Sequence, residues 1–144
     1  MGGVWGYFCL RKKWGELMAK FWKDLPSFMP HEFDSPDEPN SALKGMDEGF
    51  MRRLQMLRNL YRKPMYITSG FRTQAYNKQI GGAARSLHLE GKAADIHVFG
   101  AEAFELLGLA IAVGFKGVGV QQKGPHLTRF IHLDLRDNPA VWSY

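Results

Sequence analysis

Two residues seven positions apart, His88 and Asp95, constrain the fold of this chain more than any other feature of its sequence. Gly91 lies between them and allows the backbone to fold back sharply, so that a loop can present His88 while the next strand presents Asp95. A second histidine, His132, follows in an apolar, strand-like run. Two imidazoles and a carboxylate fill three positions of a tetrahedral zinc site and leave the fourth for water. A metal site therefore requires a fold in which these three residues meet.

The run that contains His132 alternates polar and apolar residues. Residues two apart on a strand share a face, so His132 and Asp134 point the same way while Ile131, Leu133 and Leu135 face the core. From spacing alone two interpretations remain open. The residues form a metal site, or a histidine and an aspartate share a hydrogen bond on a half-exposed sheet face.

The size and charge of the chain limit its architecture and its partners. Its 144 residues, of which 45% are hydrophobic, suit one compact domain, and no apolar run is long enough for stable membrane insertion. A net charge of +5 suits an anionic partner such as nucleic acid, an acidic membrane or a cell-wall polymer, or only keeps the protein soluble. The basic residues are scattered without an aromatic platform, which argues against nucleic acid. We expect a monomer.

The N-terminal extension, residues 1–23, is predicted to lie outside the domain, which spans residues 24–144. Cys9 is the only cysteine, so neither an internal disulfide nor a thiolate zinc finger can form. The apolar run 4–10 precedes its basic cluster and lacks a cleavage site, which predicts no signal peptide and synthesis in the cytoplasm. Met18 is a candidate alternative start, and if translation begins there, residues 1–17 are an artefact of start-site choice.

Element boundaries follow from prolines, caps and periodicity. Four prolines in residues 24–45 exclude a long helix and predict an extended arm that packs through Phe28, Met29 and Phe33. Asp47 is a candidate N-cap, and the residues after it show helical apolar spacing. Further helices are predicted at 73–79 and 101–113, the latter with Phe104, Leu107 and Ile111 as its apolar residues. Strands are predicted at residues 65–69, 93–98, 117–120 and 130–135. This mixture indicates an α+β fold with a mostly antiparallel central sheet of about four strands, flanked by helices.

Three segments carry a resemblance to a known family: S-x-H-x-x-G-x-A-x-D at residues 86–95, S-G-F-R-T at residues 69–73, and F-I-H-L-D at residues 130–134. In this order they resemble the motifs of the zinc D-Ala-D-Ala carboxypeptidase family. That family includes phage L-alanyl-D-glutamate endolysins and shares its fold with the hedgehog signalling domain. The resemblance extends from about Trp22 to Arg136. Within the family, the chain is most similar to the compact, phage-like branch.

The resemblance implies a role for each residue that matches a motif. His88, Asp95 and His132 would ligate Zn²⁺. Arg72 would pair with a substrate carboxylate or polarise the scissile carbonyl, as a planar guanidinium can. Ser86 would bind substrate or orient the site. The alternatives are a solvated charge at the end of a strand for Arg72 and a loop-forming hydroxyl for Ser86.

The chain departs from the larger members of the family at the general base. They carry a carboxylate three residues before the last zinc histidine, whereas this chain has Arg129, which cannot accept a proton. Asp134 is the first candidate for this role, and orienting His132 is its rival role. His126 and Glu90 are further candidates. His97 shares a strand face with Asp95, and a structural role is expected for it.

The resemblance implies a zinc peptidase that hydrolyses peptidoglycan stem or cross-link peptides containing D-amino acids, either as a carboxypeptidase or as an endolysin-type endopeptidase. Without a signal peptide, the expected source is a phage or prophage whose product acts on the cell wall. The alternative is a non-catalytic, zinc-bearing module that binds cell wall or serves in a virion. Arg129 favours this alternative, and Asp134 beside the metal ligand argues against it.

Overall fold

A five-stranded sheet forms the centre of the structure, a computed structural model that describes residues 20–144. Its strands are β1 (Tyr66–Ser69), β2 (Ala93–His97), β3 (Gly117–Gln121), β4 (Phe130–Asp134) and β5 (Ala140–Ser143). They lie in the order β1-β2-β4-β3-β5, and every neighbouring pair is antiparallel except β3 with β5. The predicted α+β fold with a mostly antiparallel sheet is confirmed, and it agrees with the carboxypeptidase-like fold that the resemblance implied. The strand β5 is additional to those predicted.

Helices connect the strands. The α-helices are α1 (Ala42–Gly45), α2 (Glu48–Tyr61), α3 (Gln74–Gln79) and α4 (Gly100–Ala112), and the short 3₁₀ helices are Lys20–Asp24, Pro30–Phe33, Leu87–Glu90 and His126–Thr128. Asp47 caps α2 as predicted, because its Oδ1 accepts the backbone N–H of Phe50 at 2.8 Å. Among residues 20–144, no helix combines the length and the apolar character needed to cross a bilayer.

Of the three apolar residues named for α4 from the sequence, only Leu107 packs against the core. Ala103, Leu106 and Ala110 face the core, while Phe104 is 82% exposed and Ile111 is 58% exposed. Apolar residues lie almost all around this helix, so periodicity does not select one face. The small alanines allow the helix to approach the sheet closely, which the larger side chains do not.

The arm of residues 24–45 contains short helical turns and no long helix, as its prolines predicted. Phe28 and Phe33 are buried, but Met29 is 59% exposed, so its predicted packing role was wrong. Phe21 and Trp22 lie before the predicted domain boundary, yet both belong to the core. The predictions about a leader sequence, Cys9 and a start at Met18 concern residues outside those described.

The two faces of the sheet have different partners. Because side chains alternate along each strand, Ile96, Ile131 and Leu133 point into a core shared with α2 and α4. The opposite face carries a continuous row of paired residues, one from each strand: Ser69, Asp95, His132, Gly119 and Trp142. The sheet register therefore brings two of the three predicted metal ligands side by side.

Candidate metal centre

Three predicted ligands converge at this row. Nε2 of His88 lies 3.2 Å from Nδ1 of His132 and 3.4 Å from Oδ1 of Asp95, and the last two atoms are 2.8 Å apart. The ligand atoms of a tetrahedral zinc ion, bound at about 2.0–2.1 Å, stand roughly 3.3 Å from one another. All three side chains are buried. The three side chains thus have the spacing expected of three ligands to one metal ion.

The loop before β2 positions His88. The hydroxyl of Ser86 accepts the backbone N–H of His88 at 3.4 Å and so begins the 3₁₀ helix that carries this histidine. Gly91 ends that helix with a φ of +66°, and a Cβ at this position would overlap the carbonyl oxygen of Gly45. Glycine is therefore required at the fold-back, for its backbone conformation and for lack of space.

The outer nitrogen of each imidazole has a hydrogen-bond acceptor. Nδ1 of His88 donates to the carbonyl oxygen of Gly70 at 2.7 Å, and Nε2 of His132 donates to Oδ2 of Asp134 at 2.9 Å. These bonds select the tautomers in which the inner nitrogens carry lone pairs. The two inner nitrogens are 3.2 Å apart, and their lone pairs repel each other unless a cation lies between them. The donor set therefore fits a metal ion.

Arg72 holds the third ligand. Its Nη2 donates to Oδ2 of Asp95 at 3.0 Å, and its Nε donates to the hydroxyl of Ser69 at 2.9 Å. This contact turns Oδ1 of Asp95 toward the histidines. Arg72 is only 14% exposed, so it is not a solvated charge at a strand end.

Asp134 lies behind the three converging side chains. It is 1% exposed and receives two hydrogen bonds from the guanidinium of Arg136, from Nη2 at 2.6 Å and from Nε at 2.9 Å. Burial raises the pKa of Asp134, while the hydrogen bonds from Arg136 and His132 lower it further than burial raises it. Because the carboxylate contacts Nε2 of His132 rather than the converging atoms, the geometry favours the positioning role over the acid–base role.

The other predicted residues lie in different surroundings. His126 stacks on Phe99 at 4.4 Å, and within residues 20–144 it is not part of the cleft lining. Glu90 lines the cleft and pairs with Lys92 at 3.4 Å. Nδ1 of His97 donates to the carbonyl oxygen of Arg129 at 2.9 Å, which is a structural contact.

A cleft of about 990 Å³ opens above the converging ligands. Its lining includes residues of the loop 81–87 and residues 135–138 together with Trp142 and Tyr144. The sequence prediction did not include Arg136, Trp142 or Tyr144. A usable signal was present in the aromatic alternation of V-W-S-Y at residues 141–144, which places both aromatic rings on one face of a strand.

The two glycines of β3 make room for the groups behind the site. A Cβ at Gly117 would overlap the carboxylate of Asp134 and the Nε of Arg136. We predict that Gly117→Ala displaces Asp134 and weakens metal binding roughly tenfold or more, as loss of a ligand's supporting contact does. Metal titration of the purified variant measures this. The control Gly108→Ala, which has open space on α4, should bind metal normally; equal affinity of both variants would contradict the prediction.

Comparison with known proteins agrees with this geometry. The chain is 29% identical over 101 residues to the peptidoglycan L,D-endopeptidase MepK of Escherichia coli strain K12, and equally to MepK of Shigella flexneri. The alignment covers 65% of this chain and 53% of each relative, so the chain spans about half the length of the curated relatives it matches. The sequence model of the peptidase M15 family matches residues 29–134, which contain all three converging ligands. The chain belongs to the peptidase M15 family.

Proposed function

We propose that the chain is a zinc-dependent endopeptidase that hydrolyses peptidoglycan peptides containing D-amino acids. The observation that carries this proposal is the convergence of two imidazole lone pairs and one carboxylate oxygen in a buried pocket beneath an open cleft. The peptidase family supports the class of reaction, and the relatives, which are peptidoglycan L,D-endopeptidases by name, support peptidoglycan as the polymer. The relatives are endopeptidases by name, which favours a bond within a peptide over a terminal residue.

Zinc is the metal that this ligand set favours. Two neutral imidazoles and one carboxylate are typical of catalytic zinc sites, in which a fourth position stays open. When bound, zinc lowers the pKa of a coordinated water molecule to roughly 7 and polarises a carbonyl group. His88, Asp95 and His132 would hold it. The contacts from Gly70, Arg72 and Asp134 orient these ligands, so the chain itself supplies a preorganised site.

In this proposal Arg72 binds the substrate while it also holds Asp95 in place. Only its Nη2 and Nε are engaged in the contacts with Asp95 and Ser69, and the side chain lines the cleft. The remaining N–H groups can bind a carbonyl oxygen or a carboxylate of the substrate. Since a guanidinium presents several donors in one plane, it holds Asp95 and a substrate oxygen together.

Peptide release from purified sacculi tests the proposed function. The zinc-loaded protein should release muropeptides, and their masses should identify an internal peptide bond as the one that is cut. Release of single D-alanine residues would show a carboxypeptidase instead. Binding to sacculi without release of any peptide would contradict the enzyme and favour the binding module.

The role of Arg72 gives a prediction. Arg72→Lys should keep zinc content and fold, because a lysine can still pair with Asp95, but it cannot also present the second set of donors. Turnover should fall roughly tenfold, as expected from loss of one charge-assisted hydrogen bond. Kinetics on defined muropeptides at saturating zinc measure this effect. Parent-like turnover of the variant would limit Arg72 to a structural contact with Asp95.

A further inference from the structure

The last strand presents two aromatic side chains to the cleft. Trp142 on β5 and Tyr144 directly after the strand lie on one face, whereas Val141 faces away and is 76% exposed. Both rings line the cleft above the metal ligands. The strand that carries them pairs with β3 in parallel, at the edge of the sheet opposite β1.

Trp142 is fixed against the site by the glycine between them. Gly119 pairs with His132 on one side and with Trp142 on the other, and a Cβ there would lie 2.8 Å from the indole ring. The indole therefore folds across Gly119 to reach His132, with ring centroids 5.1 Å apart. The guanidinium of Arg136 covers the indole at 4.4 Å. These contacts make the end of β5 a supported wall of the cleft.

Tyr144 continues this wall toward the cleft opening. Its backbone N–H donates to the carbonyl oxygen of Val120 at 3.3 Å, and its ring lies 5.1 Å from that of Phe130. Tyr144 is 52% exposed, and its partial burial raises the pKa of the phenol, while a hydrogen bond with Trp142 lowers the pKa by less. The hydroxyl therefore stays protonated at neutral pH and is a neutral hydrogen-bond donor.

Two other polar groups close to the ligands are engaged elsewhere. Arg129, at the position of the family's usual base, donates its Nε–H to the carbonyl oxygen of Gly124. Both oxygens of Asp134 are bound by Arg136, and one also by His132. Tyr144 belongs to the lining of the cleft and so brings a phenol to it.

We propose that Tyr144 is a catalytic residue whose hydroxyl donates a hydrogen bond to the carbonyl oxygen of the peptide bond being cut. It acts from the β5 edge of the sheet, and Arg72 acts from the β1 edge. Negative charge develops on this oxygen during hydrolysis, so a fixed donor stabilises the transition state more than the ground state. Trp142 is the positioning residue that holds the wall in place. This inference rests on the proposed peptidase function.

Tyr144→Phe tests the proposal, because it removes only the hydroxyl. The kcat on a defined muropeptide should fall roughly tenfold, the value of about one neutral hydrogen bond, while KM changes less than about twofold. Affinity for a phosphinate analogue of the peptide bond should fall by a similar factor, and zinc content and melting temperature should match the parent. Tyr66→Phe is the matched control, since Tyr66 is 66% exposed on β1 and lies outside the cleft lining.

The outcomes separate this inference from the function on which it rests. An active parent whose Tyr144→Phe variant keeps the parent's kcat and analogue affinity overturns the role of Tyr144 alone. A parent that releases no peptide from sacculi overturns the proposed function and this inference with it. A drop in the zinc content of Tyr144→Phe would also overturn the inference, because the hydroxyl would then support the metal rather than the substrate.

Discussion

His88→Ala is expected to remove the bound zinc and abolish peptide release. His88 is 2% exposed and supplies one of three converging ligand atoms, so its loss leaves one imidazole and one carboxylate. Two ligands do not complete a zinc site, which takes at least three from the protein. The zinc content measured after dialysis should fall from about one zinc per chain in the parent to none in the variant. Since bound metal stabilises only the folded state, a chelator should lower the melting temperature of the parent but not of this variant.

His126→Ala is the matched control for this experiment. His126 is an exposed histidine that stacks on Phe99 and lies outside the described cleft lining. It should keep its zinc and its activity. Retention of a full zinc equivalent by His88→Ala would refute the ligand assignment. Loss of activity in His126→Ala at full zinc content would instead return His126 to the catalytic group.

Asp134→Asn is expected to weaken zinc binding roughly 10–100-fold, the usual effect of removing a carboxylate that orients a metal-ligating histidine. The amide keeps the shape of the side chain but loses the charge that faces His132 and Arg136. It also leaves the guanidinium of Arg136 without its partner, which adds a cost in stability. Much of the activity should return in excess zinc, because the substitution does not touch the reacting atoms.

Turnover at saturating zinc decides between the two roles of Asp134. If Asp134 is the general base, zinc affinity stays normal while kcat falls roughly 10²-fold or more. Arg136→Lys provides a second measurement, since it keeps the charge near Asp134 but loses the two-pronged contact. If Arg136 holds Asp134 and Asp134 holds His132, zinc binding should be weaker in this variant too. Normal zinc affinity in both variants would contradict the positioning role.

The site depends on the sheet as a whole. The row of Asp95, His132, Gly119 and Trp142 crosses four strands, and its members face away from the core. A register shift of one residue would turn Asp95 and His132 into the core and the apolar residues out. The same hydrophobic pattern that buries Ile96, Ile131 and Leu133 therefore also aligns Asp95 with His132.

The sequence by itself determined the local features of the site. Gly91 between His88 and Asp95 predicted the fold-back, and the alternation around His132 predicted which face of β4 the histidine occupies. Asp47 predicted the start of α2. Each of these depends on a few neighbouring residues, whose backbone preferences and periodicities hold whatever the rest of the chain does.

The tertiary structure alone decided features that depend on partners distant in sequence or on several contacts at once. Sequence left the role of Asp134 open, and the contacts of Arg136 and His132 favour positioning. It did not select the buried face of α4, because apolar residues lie almost all around this helix. It did not predict that β5 pairs with β3 and brings Trp142 and Tyr144 to the cleft. Such pairings depend on the whole sheet, and no local preference encodes them.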